Sequence, residues 1–169
     1  LSIRELKKIQ SEKLKKFKKD FKKSSEIIIV DSAAGLGQEA LSTFDIADEI
    51  IIITNPEMPA ITDALKAIKL AEQMKKPVTG VIITRVKKNK IEMQPEVVKE
   101  MLEVPILGMV PEDISVQESL NLKNAVVHTH PKSKASRAYK EIAAQLLNVP
   151  YDSDIDKETW WERFRKRFG

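Results

Sequence analysis

The sequence predicts an α/β protein, an open and mainly parallel sheet with helices on both faces. Two runs of β-branched residues, Ile27-Ile28-Ile29-Val30 and Ile50-Ile51-Ile52-Ile53, are uninterrupted by polar residues, the pattern of parallel strands buried on both faces. Strand-like runs alternate with helical periodicity, an order that favours crossover connections and parallel pairing. The runs end in polar or special residues, Asp31, Thr54-Asn55, Thr84-Arg85 and Pro111-Glu112. Ligands in such sheets sit beyond the carboxyl ends of the strands, so these four ends mark one candidate site.

The elements follow in order. From Leu1 to Ser25 there are ten Lys or Arg against three Asp or Glu, and apolar residues at Ile3, Leu6, Ile9, Leu14, Phe17 and Phe21 recur mostly three or four apart. This is an amphipathic helix with a basic face. It reads as a helix covering one side of the sheet, with lysine stems shielding apolar surface, or as a contact for nucleic acid or an acidic membrane. Leu1 is not an initiating residue, and the sequence reads as cut from a longer one. The first strand run then delivers Asp31 where the backbone turns through Ser32 to Gly37. That carboxylate either holds a magnesium ion, directly or through its water, or caps the segment that follows.

Gln38 to Ala47 forms a short helix, Glu49 to Thr54 a wholly buried strand, and Asn55-Pro56-Glu57 breaks it. Pro59 to Lys75 is helical, with Ile61, Leu65, Ile68 and Met74 apolar and Lys76-Pro77 as its stop. Val78 to Thr84 is a strand, followed by a polar loop from Arg85 to Lys90. A helix from Gln94 to Leu102, a strand from Val104 to Val110, a short helix near Ser115 to Leu120 and a long one from Lys134 to Leu147 complete the compact part. His128 and His130 flank Thr129, but a metal site needs a third ligand and none is evident; they read as solvated loop histidines.

Composition narrows the function. The chain has 169 residues, 42% hydrophobic, no cysteine and a net charge of +4. That bounds it to one core with some excess and excludes disulfides, thiolate metal sites and cysteine nucleophiles. No apolar run approaches the roughly 20 residues of a membrane span, so the expectation is a cytoplasmic protein.

Asp31-Ser32-Ala33-Ala34-Gly35-Leu36-Gly37, then Ala47-Asp48-Glu49 before a strand, Thr54-Asn55-Pro56-Glu57, and later Leu107-Gly108-Met109-Val110-Pro111-Glu112-Asp113 with Ser115-Val116, together resemble the MinD/ParA family of deviant Walker ATPases, its MinD branch above all. Ala138-Tyr139 in the last helix also fits. The resemblance implies that Asp31 is the Walker B aspartate, holding magnesium through water, and that Ser32 and Gly35 lie in the switch II loop. It places Arg85, Pro111 and Glu112 against the adenine of ATP or ADP, and Asp63 on a helix that receives a cell-division regulatory protein. It also implies an ATP-bound homodimer. Two positions depart from the pattern: Ala33 where a proline is usual, and Gly37 where an acidic residue is usual.

A larger departure concerns the phosphates. None of the five glycines, Gly35, Gly37, Gly80, Gly108 and Gly169, belongs to a phosphate-cradling loop with its lysine and Ser or Thr. In the family that loop lies upstream, so the chain corresponds to a C-terminal part with its first strands missing, and by itself it is not expected to hydrolyse ATP usefully.

Residues 1–148 therefore read as a partial nucleotide-binding domain, and residues 149–169 as an acidic linker and a terminal amphipathic helix. There Trp160, Trp161, Phe164 and Phe168 fall within an arc of about 100°, with Arg163, Arg165, Lys166 and Arg167 on the remainder. This is the form of an interfacial helix for an anionic membrane surface; the other reading is that the tryptophans pack back on the body. The expected function is ATP-dependent, membrane-associated placement of the division site, peripheral at the inner face of the cell membrane. The alternatives are a partition ATPase fragment binding DNA, which is less favoured, and a non-enzymatic membrane adaptor.

Overall fold

The structure is a computed structural model, and it describes residues 23, 25–32, 35, 37–87, 89 and 91–151. The described elements are α1 (Gln38–Ile46), β1 (Ile50–Thr54), α2 (Met58–Gln73), β2 (Val78–Val86), α3 (Pro95–Leu102), β3 (Ile106–Pro111), α4 (Ile114–Asn121), α5 (Val126–Thr129) and α6 (Lys134–Leu146). The three strands form one sheet in the order β1-β2-β3, the parallel α/β arrangement expected. β1 pairs with β2 in parallel, Ile52 opposite Val81 and Thr54 opposite Ile83. Along the other edge of β2, Val81 N donates to Pro105 O and Glu112 N to Val86 O, a register that rises in the same direction on both strands and so is parallel too. The chain divides into two compact units, residues 1–83 with 88–106 and residues 84–87 with 107–169.

In the first unit the core is a strand face against a helix stripe. β1 buries Ile50, Ile52 and Thr54, and α2 packs on β1 and on α3 through Ile61, Ala64, Ile68 and Ala71. Those spacings of three and four follow one side of a helix. Ile61 and Ile68 are essentially inaccessible, each contributing about 1.5–3 kcal/mol by leaving water. Pro59 sits in the first turn of α2, where its missing N–H is harmless. Both α2 and α3 are followed by a left-handed residue, Lys75 at φ +55° and Glu103 at φ +55°, a common helix ending. Lys76 Nζ donates to Asp45 O at 2.7 Å and Ala47 O at 2.9 Å, satisfying carbonyls that the end of α1 leaves without helical partners.

Two strand expectations need correction. Ile27–Val30 is not a buried strand: it forms no ladder, and Ile29 is 91% exposed. Its composition suits a strand, but a strand exists only beside a hydrogen-bonded neighbour, and none stands beside it among the described residues. β1 is not wholly buried either, since Ile51 and Ile53 lie exposed on its second face. Smaller differences concern boundaries: β2 continues to Val86, past the expected end at Thr84, β3 begins at Ile106, and α5 is an additional turn of helix.

In the second unit α6 buries Ala135, Ser136, Lys140, Ile142 and Ala144. Gly108 of β3 lies so close beneath α6 that a Cβ there would collide with Ile142 Cγ1 and Cδ1. Close helix-on-strand packing, rather than a backbone angle, thus selects glycine at this position. Gly108→Ala should destabilise the protein by about 1–3 kcal/mol through overpacking; urea unfolding with unchanged stability would show that Ile142 relaxes without cost.

Candidate functional site

The carboxyl ends of β2 and β3 meet in a charged corner. Glu112 N donates to Val86 O at 3.0 Å, holding the chain that leaves β3 against the end of β2. The Glu112 carboxylate then receives Arg85 Nη2 at 3.5 Å and Lys87 Nζ at 3.3 Å. Arg85 adopts φ +57° inside a strand, a left-handed conformation costing about 1–2 kcal/mol for a residue with a Cβ. The other non-glycine residues with positive φ, Lys75, Glu103, Lys123 and Asn148, follow helix ends where that conformation is routine. With the Arg85 side chain 64% exposed, its own ion pair contributes at most about 1 kcal/mol, no more than the lower end of that strain. Strained backbone of this kind clusters at ligand sites.

Asp113, next in the chain, has a structural role. Its Oδ1 accepts from Ser115 N at 3.0 Å and its Oδ2 from Ala135 N at 3.1 Å. One carboxylate therefore caps α4 and also serves the first turn of α6, where backbone N–H groups lack helical partners. The hydrogen bond from Ala135 N, with smaller help from Ser115, holds its pKa below the ordinary carboxylate value against the opposing effect of burial.

Beyond α4 a polar cluster occupies the interior of the second unit. Ser119 Oγ, buried, donates to Ser115 O at 2.5 Å and lies 2.6 Å from Thr129 Oγ1 and 3.3 Å from His130 Nδ1. His130 Nε2 faces Glu118 Oε2 at 3.2 Å, while Ser136 Oγ donates to Val126 O and His130 O. The expectation of two solvated loop histidines fails in part for both: His128 is exposed but lies within α5, and His130 ties α4, α5 and α6 together. The partners of its ring, Thr129, Ser119 and Glu118, lie 1, 11 and 12 residues away, so local sequence carries little sign of the cluster. Among the described residues no three His, Asp or Glu side chains could together hold a metal.

Other candidate positions belong to the first unit. Asp31 is exposed and Ser32 half-buried in irregular backbone, and Gly35 has φ +84° with open space where a Cβ would be, a conformation that favours glycine. Asn55 Oδ1 accepts from Glu57 N at 3.3 Å, shaping the turn from β1 into α2. Asp63 lies on the exposed side of α2, paired with Lys66 at 2.9 Å. Of the expected site residues, then, Arg85, Pro111 and Glu112 are brought together within the second unit, and Asp31, Ser32, Gly35 and Asp63 belong to the first. Trp160, Trp161, Arg163, Phe164, Arg165, Lys166, Arg167 and Phe168 lie outside the described residues, as do the basic helix expected from Leu1 to Ser25 for nearly all its length and the interior of the turn after Asp31.

A ParA family model, described as NUBPL iron-transfer P-loop NTPase, matches residues 8–147. The chain belongs to the ParA family. Within this family it is 33% identical over 168 residues to an ATP-binding protein of Methanocaldococcus jannaschii, covering 99% of this chain and 63% of the relative. It is 31% identical to the septum site-determining protein MinD of Neisseria meningitidis, over 85% of this chain and 57% of that protein. Its fold matches MinD of Pyrococcus horikoshii complexed with Mg-ADP, TM-score 0.74 and 28% identity, covering 80% of this chain and 56% of that one. It also matches the MinC:MinD complex of Aquifex aeolicus, TM-score 0.76 and 28% identity, over 87% and 62%. The chain thus spans a little over half the length of these ParA-family relatives.

Asp113→Ala should cost about 1–2 kcal/mol of stability at neutral pH, as expected for a lost helix cap. Because the native pKa is lowered, the charged cap stabilises above the carboxylate's ordinary value of about 4 and is lost as pH falls through the lower native value. Thermal unfolding should therefore show the gap between the parent and Asp113→Asn shrinking from pH 7 to pH 3; a constant gap would mean that the charge contributes nothing.

Proposed function

We propose that this chain is part of a MinD-type, ATP-switched protein that associates with the inner face of the cell membrane and regulates division-site placement. The observation that carries this reading is the likeness of the chain to MinD proteins over most of its length, one of them complexed with Mg-ADP. The charged corner at the ends of β2 and β3 supports it: Arg85, Pro111 and Glu112 are adjacent where the family resemblance assigns the adenine. The partner would be a division regulator meeting the face of α2 that bears Asp63; the similar MinD of Aquifex aeolicus forms a complex with MinC. In the whole protein ATP and magnesium would favour a dimer, whose paired tails would hold an anionic membrane better than one tail alone.

The described residues fit only part of a magnesium nucleotide. They offer a charged corner for the base and the single exposed carboxylate of Asp31, while the sequence holds no phosphate-cradling loop. Magnesium bound by one carboxylate relies on substrate phosphates for further ligands, and those phosphates have no cradle in this chain. No hydrolytic step is assigned to these residues by themselves.

The reading is tested by co-sedimenting the chain with anionic and neutral vesicles, with and without ATP, beside the double variant Trp160→Glu, Phe164→Glu. Binding should require anionic lipid, should ignore ATP, and should fall at least tenfold in the variant, since each lost ring contact is worth about 2 kcal/mol. If two covalently linked copies of the tail also fail to bind, the membrane assignment is wrong. Strong, salt-sensitive binding to duplex DNA instead would favour the partition reading.

A further inference from the structure

The outer surface of α6 begins with cations that have no acidic partner. Lys134, Arg137, Glu141 and Gln145 are exposed at spacings of three and four, which sets them in one line along the helix. Exposed Lys132 stands just before that line. Among the described residues no carboxylate forms an ion pair with Lys132, Lys134 or Arg137. These cations occupy the end of α6 that Asp113, two residues past β3, holds through Ala135 N.

Beyond α6 the chain turns back over the same line. Asn148 takes φ +50°; its N donates to Gln145 O at 3.1 Å, and Val149 N donates to Ala144 O at 2.9 Å. These are the paired bonds of a left-handed helix stop, and Pro150 cannot resume the helix. Tyr151 is half-buried. Burial raises the pKa of its hydroxyl, and the charges of Arg137 and Glu141 both act on it. Arg137 lies nine residues before the last residue of α6, about 14 Å back along the axis. By Tyr151, therefore, the chain has doubled back towards the helix start.

Residues 152–169 lie outside the described residues, and their sequence opens with Asp152-Ser153-Asp154-Ile155-Asp156. In extended backbone alternate side chains share a side, so three carboxylates at this spacing face one way over about 13 Å. Lys132 to Arg137 covers a similar length, about 11 Å. We propose that residues 152–156 dock antiparallel on the basic start of α6, carboxylates against Arg137, Lys134 and Lys132, and so bring the terminal segment out beside the carboxyl end of β3 rather than at the far end of α6. Charge and reach select this occupant: three carboxylates face three cations, and the segment follows directly on Tyr151. Exposed ion pairs are screened by salt, so the docking is reversible. The proposal is independent of the nucleotide and membrane readings.

The absence of cysteine makes the test direct, because Lys157→Cys provides a single site for a nitroxide spin label. Amide signals of the spin-labelled chain are compared at the start of α6, Lys132 and Lys134, and at its end, Gln145 and Leu146. Paramagnetic broadening should be about fivefold or more stronger at the start, the two ends being roughly 20 Å apart. The bias should vanish in about 1 M salt, where the screening length is about 3 Å, and in the variant Asp152→Asn, Asp154→Asn, Asp156→Asn. It should vanish again in Lys132→Glu, Lys134→Glu, Arg137→Glu, and return when those changes are combined with Asp152→Lys, Asp154→Lys, Asp156→Lys. Equal broadening at the two ends in low salt overturns the proposal. So does a bias that survives both salt and the asparagine variant, which would make Ile155 and the terminal aromatic residues the contact. Broadening passed from spin-labelled chains to isotope-labelled chains without a nitroxide would make a second copy the occupant and overturns it equally. If the glutamate variant does not fold, the salt and asparagine results decide by themselves.

Discussion

Parallel pairing of β1 with β2 is the constraint on which the first unit depends. It sets which isoleucines of β1 meet the buried stripe of α2, because a shift of one residue would exchange the buried set Ile50, Ile52 and Thr54 for the exposed pair Ile51 and Ile53. Chemically these four isoleucines are identical, so composition alone cannot choose the register. The choice falls to polar contacts, Ile50 N on Pro77 O and Thr79 Oγ1 on Glu49 Oε2, and to the surface that α2 brings against one face only.

The second unit is held on a different principle. Two of its helices are short, α4 with eight residues and α5 with four, and short helices in water are marginal without tertiary support. Support comes from polar groups whose partners lie in other elements: Asp113 between the starts of α4 and α6, Ser119 and His130 across α4 and α5, Ser136 from α6 onto the carbonyls of Val126 and His130. Such networks specify one arrangement because each member left unsatisfied in the interior carries a desolvation cost.

The contrast explains what the sequence disclosed. α2 was legible nearly to the residue, because spacings of three and four between apolar residues are local information; α6 also runs within a residue of its expected bounds. The corner of Arg85, Pro111 and Glu112 was legible through family resemblance; the second cation on Glu112, Lys87, was not, since its involvement depends on the path the chain takes through a left-handed Arg85. Asp113 as a cap of α4 was within reach of the Asp-Ile-Ser pattern, but its hold on Ala135 spans 22 residues and belongs to the fold alone. Ile27–Val30 misled for the opposite reason: its side chains announce a strand, and strand formation is a property of the neighbour as much as of the run.

Asp113 carries a consequence for how this region can vary. A single side chain fixes the spacing between β3 and α4 and, through Ala135, the point at which α6 begins. Surface loops ordinarily absorb inserted residues at little cost. Here an insertion between Pro111 and Ile114 would lift the carboxylate from both helix starts at once, so length variation should be confined to the exposed stretch from Leu120 to Ala125, which neither cap reaches.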